Sequence, residues 1–134
     1  DVDTRLKIAD KIINEAAKLG IPIEDIIIDP LAMSVASDDQ SGLGALTTLA
    51  QIRDKFGVNQ TIGASNVSFG LPARRAINCV FLAMAIVNGL TCPITDPTVW
   101  EIRQTLLLTD LFHGKDEFAM NFIGAYREQF PEDD

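Results

Sequence analysis

The chain opens on a periodic segment. Leu6, Ala9, Ile12, Ile13, Ala16 and Ala17 recur at the three- and four-residue spacing of one buried helical face. Asp3 or Thr4 can cap its start, Gly20 can close it in the left-handed conformation, and Pro22 prevents its continuation. Ile26-Ile27-Ile28 follows with no alternation. Consecutive isoleucines read as a strand buried on both faces, the pattern of a parallel sheet, and Asp29-Pro30 terminates it. Val35 to Gly44 reads as a polar, glycine-bearing loop. A second helix then carries Leu46, Leu49, Ala50 and Phe56 toward one side and ends at Gly57.

Gln60 to Ala64 forms a second short strand that runs into Ser65-Asn66-Val67-Ser68. Pro72 suits the first position of a third helix, which presents Ile77, Val80, Phe81, Met84 and Val87 and stops at Gly89. Its Phe81 and Met84 are expected in the core. Thr91 to Thr95 gives a third strand, in which Pro93 removes a ladder donor. Asp96-Pro97 ends it. Thr98 and Glu101 stand at capping-box spacing for a fourth helix through Trp100, Leu107, Leu108 and Leu111 to about His113. A last amphipathic helix is expected from about Asp116 to Phe130, followed by a solvated acidic tail at 132–134. Strands alternate with helices and no hairpin signal appears, so the fold class is α/β, with parallel strands joined by right-handed crossovers.

Composition narrows the function classes. Of 134 residues, 47% are hydrophobic and 22% charged, which suits a globular core rather than a disordered chain. No apolar run approaches the ~18 residues of a membrane span, and the opening Asp1-Val2-Asp3-Thr4 reads into a helix rather than a leader. A cytoplasmic protein with no membrane partner is expected. The net charge of −8 argues against nucleic acid as a partner, because phosphate neutralisation needs a basic surface. Cys79 and Cys92 have neither metal-site nor disulfide-framework spacing and read as inert core thiols. No bound metal is expected. His113, the single histidine, lies at a helix end beside Gly114 and reads as non-catalytic.

In parallel α/β proteins the ligand site lies at the C-terminal ends of the strands. That rule selects Asp29, Pro30 and Met33 after the first strand, Ser65, Asn66 and Ser68 after the second, and Thr95 and Asp96 after the third. None is a nucleophile with a base in register. Carboxylates, an amide and hydroxyls instead suit hydrogen bonding to a polar heterocycle. Local roles compete: Asp29 can simply terminate its strand, Asn66 can be a turn residue, and Asp96 reads first as a turn former. Ser41-Gly42-Leu43-Gly44 lacks the lysine of a P-loop and the third glycine of a dinucleotide fingerprint. Arg74 and Arg75 could meet an anionic tail, but read first as solvated surface charges.

Gly63-Ala64-Ser65-Asn66-Val67-Ser68-Phe69-Gly70-Leu71-Pro72, with Arg74, Asn78, Phe81 to Ala85 and Gly89-Leu90, resembles the pterin-binding methyltransferases. That family includes methyltetrahydrofolate:corrinoid methyltransferases and the folate-binding region of cobalamin-dependent methionine synthase. Dihydropteroate synthase is a more distant relative. Ile28-Asp29-Pro30-Leu31 is similar to the family's sixth barrel strand, Ser65 to Ser68 to the end of the seventh, and Ile94 to Pro97 to the eighth. The resemblance implies that Asp29 hydrogen-bonds the pterin ring and that Asn66 reaches the nitrogen bearing the methyl group. Ser65 and Ser68 would hold their loop, and Met33 and Ile94 are counted among the substrate contacts. Phe69 stands where some members have Gln, and no polar role is assigned to it.

The implied reaction moves a methyl group between methyltetrahydrofolate and cobalt on a corrinoid (cobalamin) carried by a partner protein. Two other readings stand beside it: a dihydropteroate synthase-like pterin enzyme, against which the absence of the basic signature after the seventh strand counts, and a non-catalytic packing or association module. The resemblance also changes what the length means. An eight-stranded (β/α)8 TIM barrel needs ~250 residues, so residues 1–134 are expected to be strands six to eight of a partial pterin-binding domain without its N-terminal half. Such a piece has open sheet edges. It is expected to associate with itself or with the missing half, and alone to be weak or inactive.

Overall fold

The computed structural model describes residues 1–132, so most of the expected acidic tail, 133–134, lies outside the described residues. Among the described residues five α-helices and three strands occur in the expected αβαβαβαα order: α1 (Val2–Lys18), β1 (Ile27–Ile28), α2 (Ser41–Phe56), β2 (Asn59–Gly63), α3 (Arg74–Val87), β3 (Cys92–Ile94), α4 (Trp100–Phe112) and α5 (Met120–Gln129). The strands form one sheet in the order β1-β2-β3, and both pairings are parallel. The chain divides into two compact units, one ending at Thr95 and one beginning at Asp96.

In the first unit the sheet is covered on one face. Ile27 and Ile28 of β1 pair with Asn59 and Gln60, and Thr61, Ile62 and Gly63 pair with Cys92, Pro93 and Ile94. Side chains alternate across a strand, so Ile28, Gln60, Ile62 and Pro93 share one face while Ile27, Asn59, Thr61, Gly63, Cys92 and Ile94 share the other. The first face packs on the helices: Ile26 and Ile28 cluster with Ala9 of α1, Ile52 of α2 and Val58, and Leu6, Ile13, Ala16 and Phe56 border them. On the second face Ile27 is 53% and Ile94 63% exposed. The isoleucine run is therefore buried on one side here. Cys92, expected in the core, is half-buried on the open face, and Cys79 is half-buried on α3. Pro93 is tolerated because β3 is an edge strand, where a missing N–H can face away from the ladder.

Several boundaries move for local reasons. Asp1, not Asp3 or Thr4, caps α1, its carboxylate accepting from the Thr4 amide at 2.7 Å. Ser41-Gly42-Leu43-Gly44, expected in a loop, is the first turn of α2, and Gly57 closes that helix at φ 64°. α3 starts at Arg74, after Pro72, and buries Phe81, Leu82 and Ala85. Its Val80, Met84 and Val87, expected on the buried face, are exposed. Apolar residues surround α3, so spacing alone could not select the packed side.

The second unit pairs α4 with α5 through an aromatic cluster in which Trp100 meets Phe130 edge-on at 5.5 Å and Tyr126 lies 4.9 Å from Phe130. Thr98 does not form the expected capping box: Asp96 takes both its amide and its hydroxyl, and α4 begins at Trp100 with no side-chain cap. α5 starts later than expected because the buried Asp116 carboxylate accepts from the Asn121 and Phe122 amides. The intervening Phe118 and Ala119 take left-handed φ of 53° and 58°. His113 is exposed at the C-cap of α4.

Candidate functional site

The strand ends selected by chain topology all belong to the first unit. After β1, Asp29 continues the alternation onto the open side. Its Oδ1 accepts from the Leu31 amide at 2.8 Å, which holds Leu31 at φ 62°. Pro30 and Ala32 are buried on either side of the exposed Leu31, so this short turn is fixed by packing as well as by the carboxylate. Asp29 also borders a groove of about 320 Å³ along the β1 edge, lined with Ile8, Ile12, Ile27 and Leu31.

After β2, Ala64 to Ser68 form a 3-10 turn. Ala64, Val67 and Ser68 are buried, and Ser65 and Asn66 are left at the surface. The Asn66 carboxamide lies over Gly63. A Cβ built on Gly63 would sit 2.9 Å from Asn66 Nδ2, so the side chain occupies space that only glycine leaves open. Gly63 pairs with Ile94, and Asn66 thus stands over the open face at the β2–β3 ends. Asn66 Nδ2 and Oδ1 make no hydrogen bond to the described residues, and the Asn66 backbone carbonyl accepts from the Phe69 amide at 3.2 Å.

Ser68 is fully buried, and its hydroxyl donates to the Ser65 carbonyl at 3.2 Å and accepts from Arg74 Nε at 3.1 Å. It holds the loop through these two bonds. Ser65 takes part through its carbonyl, which also accepts from Arg74 Nη2 at 3.1 Å. The loop after β1 joins this arrangement: the Val35 amide donates to the Val67 carbonyl at 3.0 Å and the Ser34 hydroxyl to the Phe69 carbonyl. Asp29, Asn66 and Ile94 are thus set around one end of the open face. Met33 points elsewhere and lines a groove of about 400 Å³ with Arg5, Ser41, Leu43 and Thr47. Asp96 opens the second unit and is occupied by Thr98, as expected of a turn former.

Two contributors escaped the sequence reading. Arg74, read as a solvated charge, is fastened to the Asn66 loop, and its guanidinium carbon lies 5.8 Å from the centre of the Phe69 ring. Ser34 ties two loops together. Both act across a bend rather than along a periodic face, so hydrophobic spacing carries no trace of them. The six-residue step from Ser68 to Arg74 across Gly70 and Pro72 was the available signal.

Among the described residues no cluster of His, Cys, Asp and Glu could hold a metal ion, and no helix is long and apolar enough to cross a membrane. Comparison with known proteins agrees with the resemblance drawn from the Asn66 loop. A methylcorrinoid:tetrahydrofolate methyltransferase of Eubacterium limosum is 28% identical over 128 residues, covering 95% of this chain and 47% of that protein. Methionine synthases of Mycobacterium leprae and Mycobacterium tuberculosis are 29% and 30% identical over 101 and 98 residues, but only 8% of each is covered. The chain therefore spans about half of the first relative's length (47%) and a small part of the other two (8%). The family model for pterin binding enzymes matches residues 1–96, which contain every residue of the open face and both loops above it, and the chain belongs to that family.

Proposed function

We propose that this chain is the C-terminal part of a pterin-binding (β/α)8 barrel that moves a methyl group between methyltetrahydrofolate and the cobalt of a corrinoid protein. Its three strands would be the sixth to eighth of that barrel, and its open sheet face the barrel interior. The observation that carries the reading is the Asn66 carboxamide, seated over Gly63 at the strand ends with its polar atoms free. The relative of the same printed activity, matched over 95% of this chain, supports it.

The chemistry explains why an amide belongs there. A methyl group on a tertiary amine is a poor electrophile, because the departing nitrogen would carry negative charge. When cobalt(I) attacks the methyl carbon, the N–CH3 bond breaks, its electron pair stays on nitrogen, and a proton must reach that nitrogen. A positioned donor favours this most when the site is dry. Asn66 is too weak an acid to supply the proton itself. Its Nδ2 and Oδ1 can orient the nitrogen and a proton-bearing water, while the free oxygen of Asp29 accepts from the N–H edge of the pterin ring.

The test is methyl transfer from methyltetrahydrofolate to a reduced corrinoid, measured with this chain and with the protein extended to full barrel length. Asn66→Ala is expected to lower the transfer rate by ~10²-fold, the typical value of such a donor, with tetrahydrofolate still bound. Full transfer by Asn66→Ala would remove the role given to Asn66. Condensation of a pterin with an aminobenzoate in place of methyl transfer would favour a dihydropteroate synthase-like enzyme.

A further inference from the structure

We propose that Arg74 is the positioning residue of the Asn66 loop, a strut that holds the upstream half of the 3-10 turn so that the Asn66 carboxamide stays over Gly63. The proposal rests on the reading of Asn66 as the ligand-facing donor.

The loop is held from two sides. Downstream of Asn66, the Val67 and Phe69 carbonyls accept from Val35 and Ser34 of the preceding loop. Upstream, the Ser65 carbonyl has no such neighbour. It accepts instead from Ser68 Oγ and from Arg74 Nη2 at 3.1 Å. Arg74 Nε donates to the same Ser68 hydroxyl at 3.1 Å, so one guanidinium grips the loop on both sides of Asn66. The two bonds use the fixed fork geometry of arginine, which a lysine ammonium lacks. No carboxylate pairs with Arg74 among the described residues, so its donors serve the loop rather than an ion pair.

The backbone is shaped for this contact. Arg74 is the first residue of α3, and the preceding Ala73 adopts φ 53°, a region unfavourable to a residue with a Cβ. The exposed Phe69 ring lies beside the strut, its centre 5.8 Å from the guanidinium carbon.

The strut can be tested on this chain without ligand, by NMR of the 15N-labelled protein. In Arg74→Ala the backbone amides of Ser65 and Asn66 are expected to lose at least ~10-fold in hydrogen-exchange protection, and the Asn66 side-chain amide signals to shift as the carboxamide leaves its place over Gly63. Amides of β2 and α2 are expected to change by less than ~2-fold, as for a local opening. Arg74→Lys should behave like Arg74→Ala. Guanidinium added at low millimolar concentration should restore the Asn66 signals of Arg74→Ala and leave the parent protein unchanged. Unchanged Asn66 signals in Arg74→Ala, or equal loosening of the whole first unit, would overturn the proposal. Should Arg74→Ala fail to fold, Ser68→Ala carries the same test, because it removes the shared hydroxyl and should loosen Ser65 and Asn66 alone. A methyltetrahydrofolate titration of the protein extended to full barrel length separates the two readings: absence of binding there would count against the pterin assignment and leave the strut intact.

Discussion

On the helix-covered face of the sheet Ile28, Gln60 and Ile62 are buried, and Gln60 even places its amide nitrogen on the Leu49 and Gly89 carbonyls at 2.9 and 3.1 Å. One residue along the same strands, Ile27 and Ile94 stand more than half exposed, and Gly63 leaves room for Asn66. The first face is held by close-packed apolar contacts. The second is bordered by side chains held through polar contacts: Asp29 on the Leu31 amide, Ser68 and Arg74 on Ser65, Thr61 on the Cys92 carbonyl at 2.6 Å. Alternation within one set of strands thus separates what folds this unit from what the proposed pterin site would use, and substitutions on the two faces should differ in kind.

The largest difference is expected in stability. Ile62→Ala opens a cavity at a fully buried position and should cost about 2–5 kcal/mol in denaturant unfolding. Ile27→Ala, on the open face, should cost within about 1 kcal/mol. Equal losses would mean that the open face is packed in solution, for example by a second copy of the chain, and sedimentation of the two variants would show it.

Gly63→Ala reverses the pattern. Its new Cβ would stand 2.9 Å from the free end of the Asn66 side chain, which can swing aside, so stability should change by less than about 1 kcal/mol. The carboxamide would lose its seat, and a displacement near 1 Å of a reacting group can cost ~10²-fold in rate. Methyl transfer by the full-length protein should fall by about that factor while thermal unfolding stays close to the parent.

Ala73→Gly probes strain at the same end of the sheet. A left-handed residue with a Cβ costs about 1–2 kcal/mol, and glycine returns part of that gain through unfolded-chain entropy. A net stabilisation of up to about 1 kcal/mol is expected by thermal or urea unfolding. Loss of stability would show that the Ala73 methyl packs usefully.

The order of elements, the parallel sheet and the strand ends were legible from local patterns: the periodic face of α1, the Gly57 stop, the Asp-Pro pairs after β1 and β3. The short loop around Asn66 was legible because its motif is contiguous. What escaped has one physical character, dependence on a partner distant in sequence or lying off the periodic axis. Ile27 looked buried because a run of isoleucines does not tell which face is covered. α3 could not be oriented because its apolar residues nearly encircle it. α5 begins late because Asp116 reaches forward to two amides across a left-handed pair. Arg74 folds back over a bend, and Met33 turns to another groove.

The smallest expected effect concerns the two Asp-Pro corners. Asp29 spends one oxygen on a backbone amide and keeps the other for the open face, whereas Asp96 gives Oδ1 to both the Thr98 hydroxyl, at 2.6 Å, and the Thr98 amide, at 2.9 Å. The hydroxyl first, and then the amide, hold the Asp96 carboxyl below its ordinary value of 3.8. A carboxyl depressed in the folded state stabilises that state above the unfolded pKa, and the contribution is lost as pH falls through the folded value. Any contribution from Asp96 is therefore complete at neutral pH and disappears only below about 3.8. Thr98→Val removes the hydroxyl and keeps the amide, so the Asp96 carboxyl should move up toward, but not reach, 3.8 when its carbon resonance is followed through an acid titration. An unchanged midpoint would show that the amide alone holds the corner. In either case stability at pH 7 should scarcely move, because Asp96 is exposed and its hydrogen bonds compete with water.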